Sequence, residues 1–342
     1  MQKSLNLGKN KIRLILGYLI GILFIYLAVR KVDFAQMGMA LKRVNFYTLL
    51  PAIPVLFLSH YLRALRWRYL LDPIRHLDIY PLFSSLIIGY TANLFMPAHL
   101  GEILRAYILS KKRGISGSAI FATIVVERII DVLTLLALML VAIMVYPFPR
   151  WLKTSGYIMF AGTLLLLAFL ILLKKFSLKI RPVLRIALRP LPQHLQEKSW
   201  DLLERFTSGI SLLKQARDYP VVAILSLVIW ACYGLIFYLT LHAFDFVRPF
   251  QLPWSASLIL LVITTIGVVI PSSPGYVGTY HYLCQVSLTM FGVLPGPALS
   301  FAAVVHGINF LPVLMAGLIL SYFEGFKIFK IKDPSAQDPD TI

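Results

Sequence analysis

Charged side chains are scarce in this sequence of 342 residues. Asp, Glu, Lys and Arg together make up 14% of the chain, against about 25% in a typical soluble domain. Hydrophobic residues make up 58%, and the mean hydropathy is +0.78. This composition excludes a soluble enzyme and indicates that the chain folds in lipid.

Acidic residues and cysteines are few. The 15 acidic residues are outnumbered by 33 basic ones, which gives a net charge of +18. In a membrane protein such an excess favours contact with the anionic cytoplasmic leaflet, so nucleic acid is not a predicted partner. The two cysteines, Cys232 and Cys284, lie in apolar runs without the spacing of a zinc site or a disulfide framework, and are predicted to be buried thiols.

Sequence motifs of common soluble chemistry are also missing. The chain contains no Walker loop, HExxH, GxSxG or GxGxxG motif in a strand-turn-helix context. We therefore expect neither an enzyme nor a bound metal or cofactor.

Long apolar runs are abundant. Six of them can cross roughly 30 Å of hydrocarbon, and they lie near 14–30, 46–71, 118–146, 155–173, 220–244 and 298–323. Two further runs, 81–113 and 255–291, are interrupted in the middle, so that each half is too short to cross. The residues that interrupt them are Pro97, Gly101, Pro271, Pro274 and Gly275.

Loop charges predict how these segments are oriented. The stretch 174–219 has ten Lys or Arg against four acids and should be cytoplasmic, as should both termini. The segment 255–291 must then enter and leave on the external side, and 81–113 on the cytoplasmic side. The fold predicted is an all-α polytopic protein of the cell membrane, with six full transmembrane helices and two oppositely oriented re-entrant helical hairpins.

The two interrupted segments resemble each other. Pro97-x-x-x-Gly101 matches Pro271-x-x-x-Gly275, and FATIVVERIID (121–131) matches FAAVVHGIN (301–309). With opposite orientations, these units predict an inverted repeat over about 46–146 and 220–323, a pattern in which transporter sites lie at the repeat interface. Chance similarity between apolar helices is the alternative. The repeats form one transmembrane domain over 1–325, joined by a basic linker with an amphipathic helix and followed by a disordered tail, 326–342.

Helix breaks inside a membrane persist where they are buried in protein or line a polar cavity. In the second hairpin, Ser273 fits an N-cap and Pro274 the first helical position, so the new helix should direct its amides into the break and favour an anion. In the first, Gly101 and Glu102 open the helix that contains Arg105. Stabilising caps without a ligand are the alternative.

Ionisable residues near the predicted midplane are a second candidate feature. Glu127 and Asp131 share a helix face, and Arg128 can reach Asp131. Arg63 and Arg66 could pair with these acids, bind a phosphate, or extend to lipid headgroups as anchors. A structural salt-bridge network is the alternative for the acids.

In the second repeat, His306 and Asn309 occupy the related places. Histidine can titrate near neutral pH, but a hydrogen-bonded packing role is the alternative reading of His306.

Four segments, RALRWRYLL (63–71), NLFMPAHLGEILRAYIL (93–109), ERIID (127–131) and PSSPGYVGTYHY (271–282), resemble the transmembrane flippase domain of the lysyl-phosphatidylglycerol synthase/flippase family. The resemblance covers roughly 10 to 325 and implies a lipid-handling unit with paired re-entrant segments. The residues it singles out, together with the neighbouring polar side chains, are predicted to bind a lipid headgroup or to form the hairpin breaks. The headgroup set is Arg63, Arg66, Asn93, Glu102, Arg105, Glu127, Arg128, Asp131, Ser272, Ser273, His281, His306 and Asn309, and the break set is Pro97, Gly101, Pro271, Pro274, Gly275 and Gly278.

The sequence departs from this family pattern in two ways. It ends at 342 without an aminoacyl-transfer domain, so lysyl transfer is not expected and any lipid modification would come from a separate enzyme. Many relatives have an acid shortly after the second glycine motif, where this chain has Thr279, Tyr280 and His281, so its substrate should differ in charge.

Three functions remain open. The first is a flippase that moves a phospholipid or polyprenyl-linked lipid between leaflets. The second is an integral membrane transferase or an accessory subunit of a lipid glycosyltransferase, and the third is a transporter of small solutes or ions.

Overall fold

A computed structural model describes residues 19–96, 100–146, 217–269 and 273–326, together with Gln215 and single helical positions between 150 and 168. The described residues form α-helices and one short 3-10 helix, Pro274–Tyr276, and contain no strand. The predicted all-α class is therefore confirmed. The α-helices are α1 Leu19–Val29, α2 Phe34–Lys42, α3 Phe46–Leu49, α4 Ala52–Leu71, α5 Ile79–Phe95, α6 Leu100–Arg113, α7 Gly117–Val145, α8 Asp218–Ala243, α9 Ala256–Val269, α10 Thr279–Thr289 and α11 Pro295–Phe323.

Within the described residues, four helical segments are long and apolar enough to cross a membrane. They are Phe46–Leu71, formed by α3 and α4, and the helices α7, α8 and α11. Each coincides with a predicted crossing. Large apolar side chains such as Leu140, Met144, Met315 and Tyr322 are exposed on their outer surfaces, as lipid-facing helices require.

Several sequence predictions fall outside the described residues. These are the start of the predicted helix 14–30, most of the predicted helix 155–173, nearly all of the linker 174–219, the tail beyond Phe326, the break residues Pro97 and Pro271, and the predicted headgroup residue Ser272. The two buried thiols are confirmed, since Cys232 and Cys284 are both buried and free.

The first interrupted segment consists of α5 and α6 packed closely against each other. A Cβ atom on Gly101 would lie 2.0 Å from the carbonyl oxygen of Gly89, so the two backbones approach at a distance that only glycine permits. The backbone N–H of Gly101 donates to Oδ1 of Asn93 at 2.7 Å. Asn93 therefore satisfies one of the free amides at the start of α6.

The second interrupted segment differs from its prediction. Ser273 and Pro274 begin the short 3-10 helix, and the new α-helix begins at Thr279 with Gly278 as its N-cap. The Ser273 hydroxyl donates to the carbonyl of Val277 at 2.5 Å instead of capping a helix. A helix does begin at Pro274 with Ser273 at the N-cap position, as predicted, but it is a single 3-10 turn, because Gly275 and Gly278, with φ of 66° and 98°, turn the chain out of the helical conformation.

The two breaks meet inside the bundle. A Cβ on Gly275 would lie 3.6 Å from the carbonyl oxygen of Leu94, near the end of α5. Helix α1 packs on the same region, because a Cβ on Gly278 would lie 2.5 Å from the carbonyl oxygen of Gly21. The contact between α1 and the second break was not anticipated from the sequence.

The open end of the first hairpin lies at one face of the bundle. Arg75, after α4, donates to the carbonyl of Arg113 at 2.7 Å. Lys112 donates to Ser84 Oγ at 3.1 Å and pairs with Glu324 at the end of α11. This first face therefore contains the end of α4, both ends of the α5–α6 hairpin and the end of α11.

The open end of the second hairpin lies at the other face. The N–H of Asn45 donates to the carbonyl of Ala243 at 2.9 Å, and the Tyr146 hydroxyl donates to the carbonyl of Met290 at 3.3 Å. Gln285 donates to the carbonyl of Ala28 at 3.0 Å. Helices α4, α7 and α11 thus run from one face to the other, and the α9–α10 hairpin opens toward the second face.

Candidate functional site

The two acids of α7 point into the bundle and are held by arginines of α4. Asp131 accepts from Arg63 Nη2 at 2.5 Å and from Arg66 Nη2 at 2.6 Å, one guanidinium on each carboxylate oxygen. Glu127, one turn earlier, accepts from Arg63 Nη2 at 3.2 Å. Because Arg63 is 7% exposed and Arg66 is fully buried, their alternative role as headgroup anchors is wrong, and the pairing with the acids is confirmed.

Helix α6 contributes the third arginine. Arg105 Nη2 donates to Glu127 Oε2 at 2.5 Å, and its guanidinium carbon lies 3.6 Å from the centre of the Trp67 ring. The indole of Trp67 in turn donates to Thr123 Oγ1 at 3.0 Å. Arg105 is therefore fixed by a charge, a cation–π contact and a hydrogen-bonded ring.

Helix α8 supplies neutral partners. Arg63 Nη1 donates to the hydroxyl of Tyr233 at 2.9 Å, and Arg66 Nη1 donates to Ser226 Oγ at 2.9 Å. A residue of the second half of the chain thus accepts a hydrogen bond from each of these two α4 arginines. This contact joins the two predicted repeats through the charged site.

Arg128 and Glu102 form the more accessible edge of the cluster. Arg128 Nε lies 2.8 Å from Glu102 Oε1, and the two side chains are 36% and 15% exposed. Arg128 Nη1 also donates to Asp131 Oδ2 at 3.3 Å, as the spacing of three residues predicted. Arg105 pairs with Glu127 rather than with Glu102, its neighbour one turn away on α6.

The cluster has an excess of positive charge. It contains four arginines and three carboxylates, which gives four minus three, or +1. Charges removed from water are costly unless they are paired and hydrogen-bonded, and mutual pairing of this kind is how a membrane interior retains them. The remaining positive charge makes the cluster a suitable place for an anion.

Tyr90 and His60 also border the arginines. Tyr90 lies with its ring centre 5.5 Å from the guanidinium of Arg63 and 5.3 Å from the ring of His60. The hydroxyl of Tyr90 and both ring nitrogens of His60 are buried and have no hydrogen-bond partner among the described residues. Buried polar atoms of this kind are uncommon and mark a place where a polar ligand can bind.

The second half of the predicted site forms a separate group. His281 Nδ1 accepts from the N–H of Gly278 at 3.4 Å, and His281 Nε2 lies 3.3 Å from His306 Nδ1. Among the described contacts, the two histidines touch each other, Tyr280 and Phe310, so they are not part of the arginine cluster. Asn309 donates to the carbonyl of Val305 in its own helix and is likewise not brought to the arginines.

The second break nevertheless reaches the cluster through Tyr276. This tyrosine lies close enough to Arg128, Glu102 and Tyr90 to interact with them electrostatically. Sequence reasoning missed Tyr90, Tyr233, Ser226 and Tyr276, because isolated tyrosines and serines in apolar helices give no pattern that predicts a contact. Trp67 had a usable signal, since it lies directly after Arg66 on a helix of closely spaced arginines.

No group of three or more His, Cys, Asp or Glu side chains within the described ranges could hold a metal ion. Carboxylates here face guanidinium groups, whose positive charge competes with a cation. Long apolar helices enclosing such a cluster define a multi-pass helical membrane protein with a charged interior.

Comparison with known proteins then gives the family. The chain belongs to the family described as the lysylphosphatidylglycerol synthase TM region, whose profile matches residues 14–317. The resemblance inferred from the four segments is confirmed.

Relatives of two kinds are similar to the chain. Two membrane proteins of Methanothermobacter thermautotrophicus, both named UPF0104 membrane protein, are 28% identical over 78% of this chain and 80% of theirs, and 25% identical over 86% and 90%. Glycosyltransferase AglD of Haloferax volcanii is 27% identical over 38% of this chain, and the match spans 21% of its own length. No solved structure matches the chain.

Proposed function

We propose that this protein is a transporter that moves a phosphate-bearing lipid between the two leaflets of the cell membrane, and that it does not itself modify the lipid. The observation that supports this best is the arginine-rich cluster with a net charge of +1, located where the breaks of the two hairpins meet. A lipid phosphate is anionic, and guanidinium groups bind it in a forked geometry.

In this proposal the two hairpins are re-entrant and enter the membrane from opposite sides. Their open ends lie at different faces of the bundle, and the basic segments 111–113 and 174–219 support a cytoplasmic location for the first face. Both termini are then cytoplasmic. The two halves form an inverted repeat whose interface contains the arginines, the arrangement through which transporters open a midplane site to one side at a time.

The proposal is tested by reconstituting the purified protein in liposomes with headgroup-labelled lipids. Three labelled lipids are compared, namely an anionic phospholipid, a cationic phospholipid and a polyprenyl phosphate. Movement of a phosphate-bearing lipid faster than in protein-free liposomes is expected. Rates equal to those of protein-free liposomes for every lipid would refute the proposal.

A matched pair of variants separates transport from leakage. Arg63→Lys keeps the charge but loses the fork that joins Asp131, Glu127 and Tyr233, so slower lipid movement is expected. Arg43→Lys makes the same change at an exposed arginine outside the cluster and should leave the rate unchanged.

The similarity to AglD favours one alternative, an accessory role in lipid glycosylation. The match covers 130 residues of that glycosyltransferase, which shows that a related segment occurs in a chain named for sugar transfer. Formation of a glycosylated lipid by the purified protein and a sugar donor, without lipid movement, would favour this alternative.

A further inference from the structure

Arg128 differs from the other three arginines of the cluster in its exposure. Arg63, Arg66 and Arg105 have side chains that are 9%, 0% and 1% exposed, whereas that of Arg128 is 36% exposed. The three buried arginines each donate to a carboxylate at 2.5 or 2.6 Å. They form a fixed internal network, so a ligand that arrived there would have to break it.

Arg128 is paired more loosely. Its Nε atom lies 2.8 Å from Glu102 Oε1, and among the described residues Nε and Nη2 have no aligned hydrogen-bond acceptor, although both atoms are buried. The Nε atoms of the other three arginines and Nη1 of Arg105 are likewise unpartnered, so Arg128 is distinguished by having its two unpartnered nitrogens on one edge of the guanidinium. Its bond to Asp131 is 3.3 Å long, and the same Asp131 oxygen is held at 2.5 Å by Arg63. Arg128 therefore keeps one edge of its guanidinium, Nε with Nη2, unused behind Glu102.

Glu102 occupies a place that suits an anion. It lies in the first turn of α6, where the amide groups and the helix dipole favour negative charge. Arg128, on α7, faces it from the neighbouring helix. Tyr90, whose hydroxyl has no hydrogen-bond partner, and Tyr276 of the second break both lie within electrostatic reach of Arg128.

The charge of the cluster selects among anions. With Glu102 present the cluster has a charge of +1, so a ligand with one negative charge makes it neutral. A phosphodiester has one negative charge, whereas a phosphomonoester has up to two near neutral pH. A headgroup with a net positive charge would be repelled.

We propose that Arg128 binds a phosphodiester through its Nε and Nη2 edge, and that Glu102 is an internal carboxylate that covers this edge until the ligand displaces it. The inference rests on the proposed function, because it assigns the headgroup chemistry of the same site. Arg128 is the ligand-binding residue, and Glu102 sets the affinity by competing with the ligand.

The test is equilibrium binding to the full-length protein in nanodiscs of zwitterionic lipid. The probe is a short-chain phosphatidylglycerol with a fluorescent acyl chain, followed by anisotropy. Competitors are unlabelled phosphatidylglycerol, phosphatidic acid, dimethyl phosphate and a lysyl ester of phosphatidylglycerol. The first two distinguish the phosphodiester from the monoester, and dimethyl phosphate reports whether the phosphodiester alone suffices without acyl chains.

Glu102→Gln should bind the probe about tenfold more tightly, because the competing charge is gone while the shape is kept. Arg128→Gln should bind about tenfold more weakly, and the double variant should behave like Arg128→Gln. Arg43→Gln should bind like the wild type. Arg128→Lys, which retains the charge, should keep the thermal stability of the wild type while still binding more weakly.

Two results would overturn the inference: unchanged or weaker binding by a folded Glu102→Gln protein, or wild-type binding by Arg128→Gln. Stronger competition by phosphatidic acid or by the lysyl ester would also overturn the proposed headgroup. Because binding is measured without translocation, failure of the proposed function would leave the binding pattern intact, while failure of the inference would leave lipid movement in liposomes intact.

Discussion

Asp131 is the residue on which the charged site depends most directly. Its two carboxylate oxygens accept from three arginines, Arg63, Arg66 and Arg128, that come from two helices. The side chain is 11% exposed, so water contributes little to balancing these cations. Removing the charge of one partner leaves the others buried and uncompensated, which is much costlier than losing a surface ion pair.

We expect Asp131→Asn to lower the free energy of unfolding by about 3 kcal/mol or more. The amide keeps the size of the carboxylate but directs an N–H₂ group at one or two of the three guanidinium groups. Asp245→Asn is the matched control, because Asp245 is exposed and its φ of 50° is one that Asn tolerates. Thermal unfolding in detergent should show a large loss of stability for the first variant and little change for the second. Equal thermal unfolding midpoints for the Asp131→Asn and Asp245→Asn proteins would show that Asp131 is not a structural partner of the arginines.

Among the helical elements, the α5–α6 hairpin depends on a contact between two glycines. A Cβ on Gly101 would lie 2.0 Å from the Gly89 carbonyl oxygen and 2.5 Å from Oδ1 of Asn93. Both neighbours are fixed, one as backbone and the other as the cap of α6, so the helices must move apart to admit a methyl group. That movement would also displace Glu102 and Arg105, which follow Gly101 on the same helix.

Gly101→Ala should therefore destabilise the protein and weaken lipid binding. A Gly-to-Ala change inside a helix usually raises the free energy of unfolding by about 1 kcal/mol, and we expect the steric cost here to exceed that gain. Gly38→Ala is the comparison, because nothing lies within 4 Å of its added methyl group and the change should slightly stabilise α2. Thermal unfolding of both variants checks the expectation. A Gly101→Ala protein as stable as the wild type would contradict this prediction, because it would mean that α5 and α6 can move apart without loss of stability.

The second hairpin is held at its break by a chain of two histidines. His281 accepts from the N–H of Gly278, its other ring nitrogen contacts His306, and His306 lies close enough to the backbone of Gly275 to interact with it electrostatically. The chain thus joins both left-handed glycines of the break to α11. Among the described contacts neither imidazole touches an arginine, and we expect both to position the break.

His306→Phe should loosen this break while keeping the packing against Tyr280 and Phe310. Losing about 1 kcal/mol of hydrogen bonding corresponds to about fivefold faster amide exchange if exchange proceeds through local opening. Hydrogen–deuterium exchange of a peptide covering 273–279 measures this, with His76→Phe, at an exposed histidine, as the control. An unchanged exchange rate in the His306 variant would mean that the loop is held by backbone contacts alone.

At the scale of the whole molecule, the sequence predicted the pairing of charged residues better than that of neutral polar ones. The spacing of Arg63, Arg66, Glu127 and Asp131 on two helices was sufficient to suggest their pairing. The partners on α8, Tyr233 and Ser226, are 170 and 160 residues away from their arginines, and no local pattern indicates such a contact. The Ser-Pro signal indicated a helix at Pro274, but α10 begins five residues later, at Thr279, because the positive-φ glycines Gly275 and Gly278 turn the chain between them.

The orientation of the molecule in the membrane is open to a direct test. Lys111 lies at the first face of the bundle, and Asp245 lies beyond α8 at the second face; both are exposed. Loop charges predict that the first face is cytoplasmic, because 111–113 and 174–219 are basic. The native thiols, at Cys232 and Cys284, are buried and can be replaced by Ala to give a background without cysteine.

In that background, Asp245→Cys should react with a membrane-impermeant maleimide added to intact cells, and Lys111→Cys should react only after the membrane is permeabilised. The reason is that the first hairpin opens toward the face of Lys111 and the second toward the face of Asp245, so opposite labelling places the two hairpins in opposite leaflets. If Lys111→Cys were labelled in intact cells and Asp245→Cys were not, the orientation predicted from the loop charges would be wrong. Labelling of both from outside would contradict the opposed hairpins themselves, and with them the alternating access on which lipid transport through the arginine cluster depends.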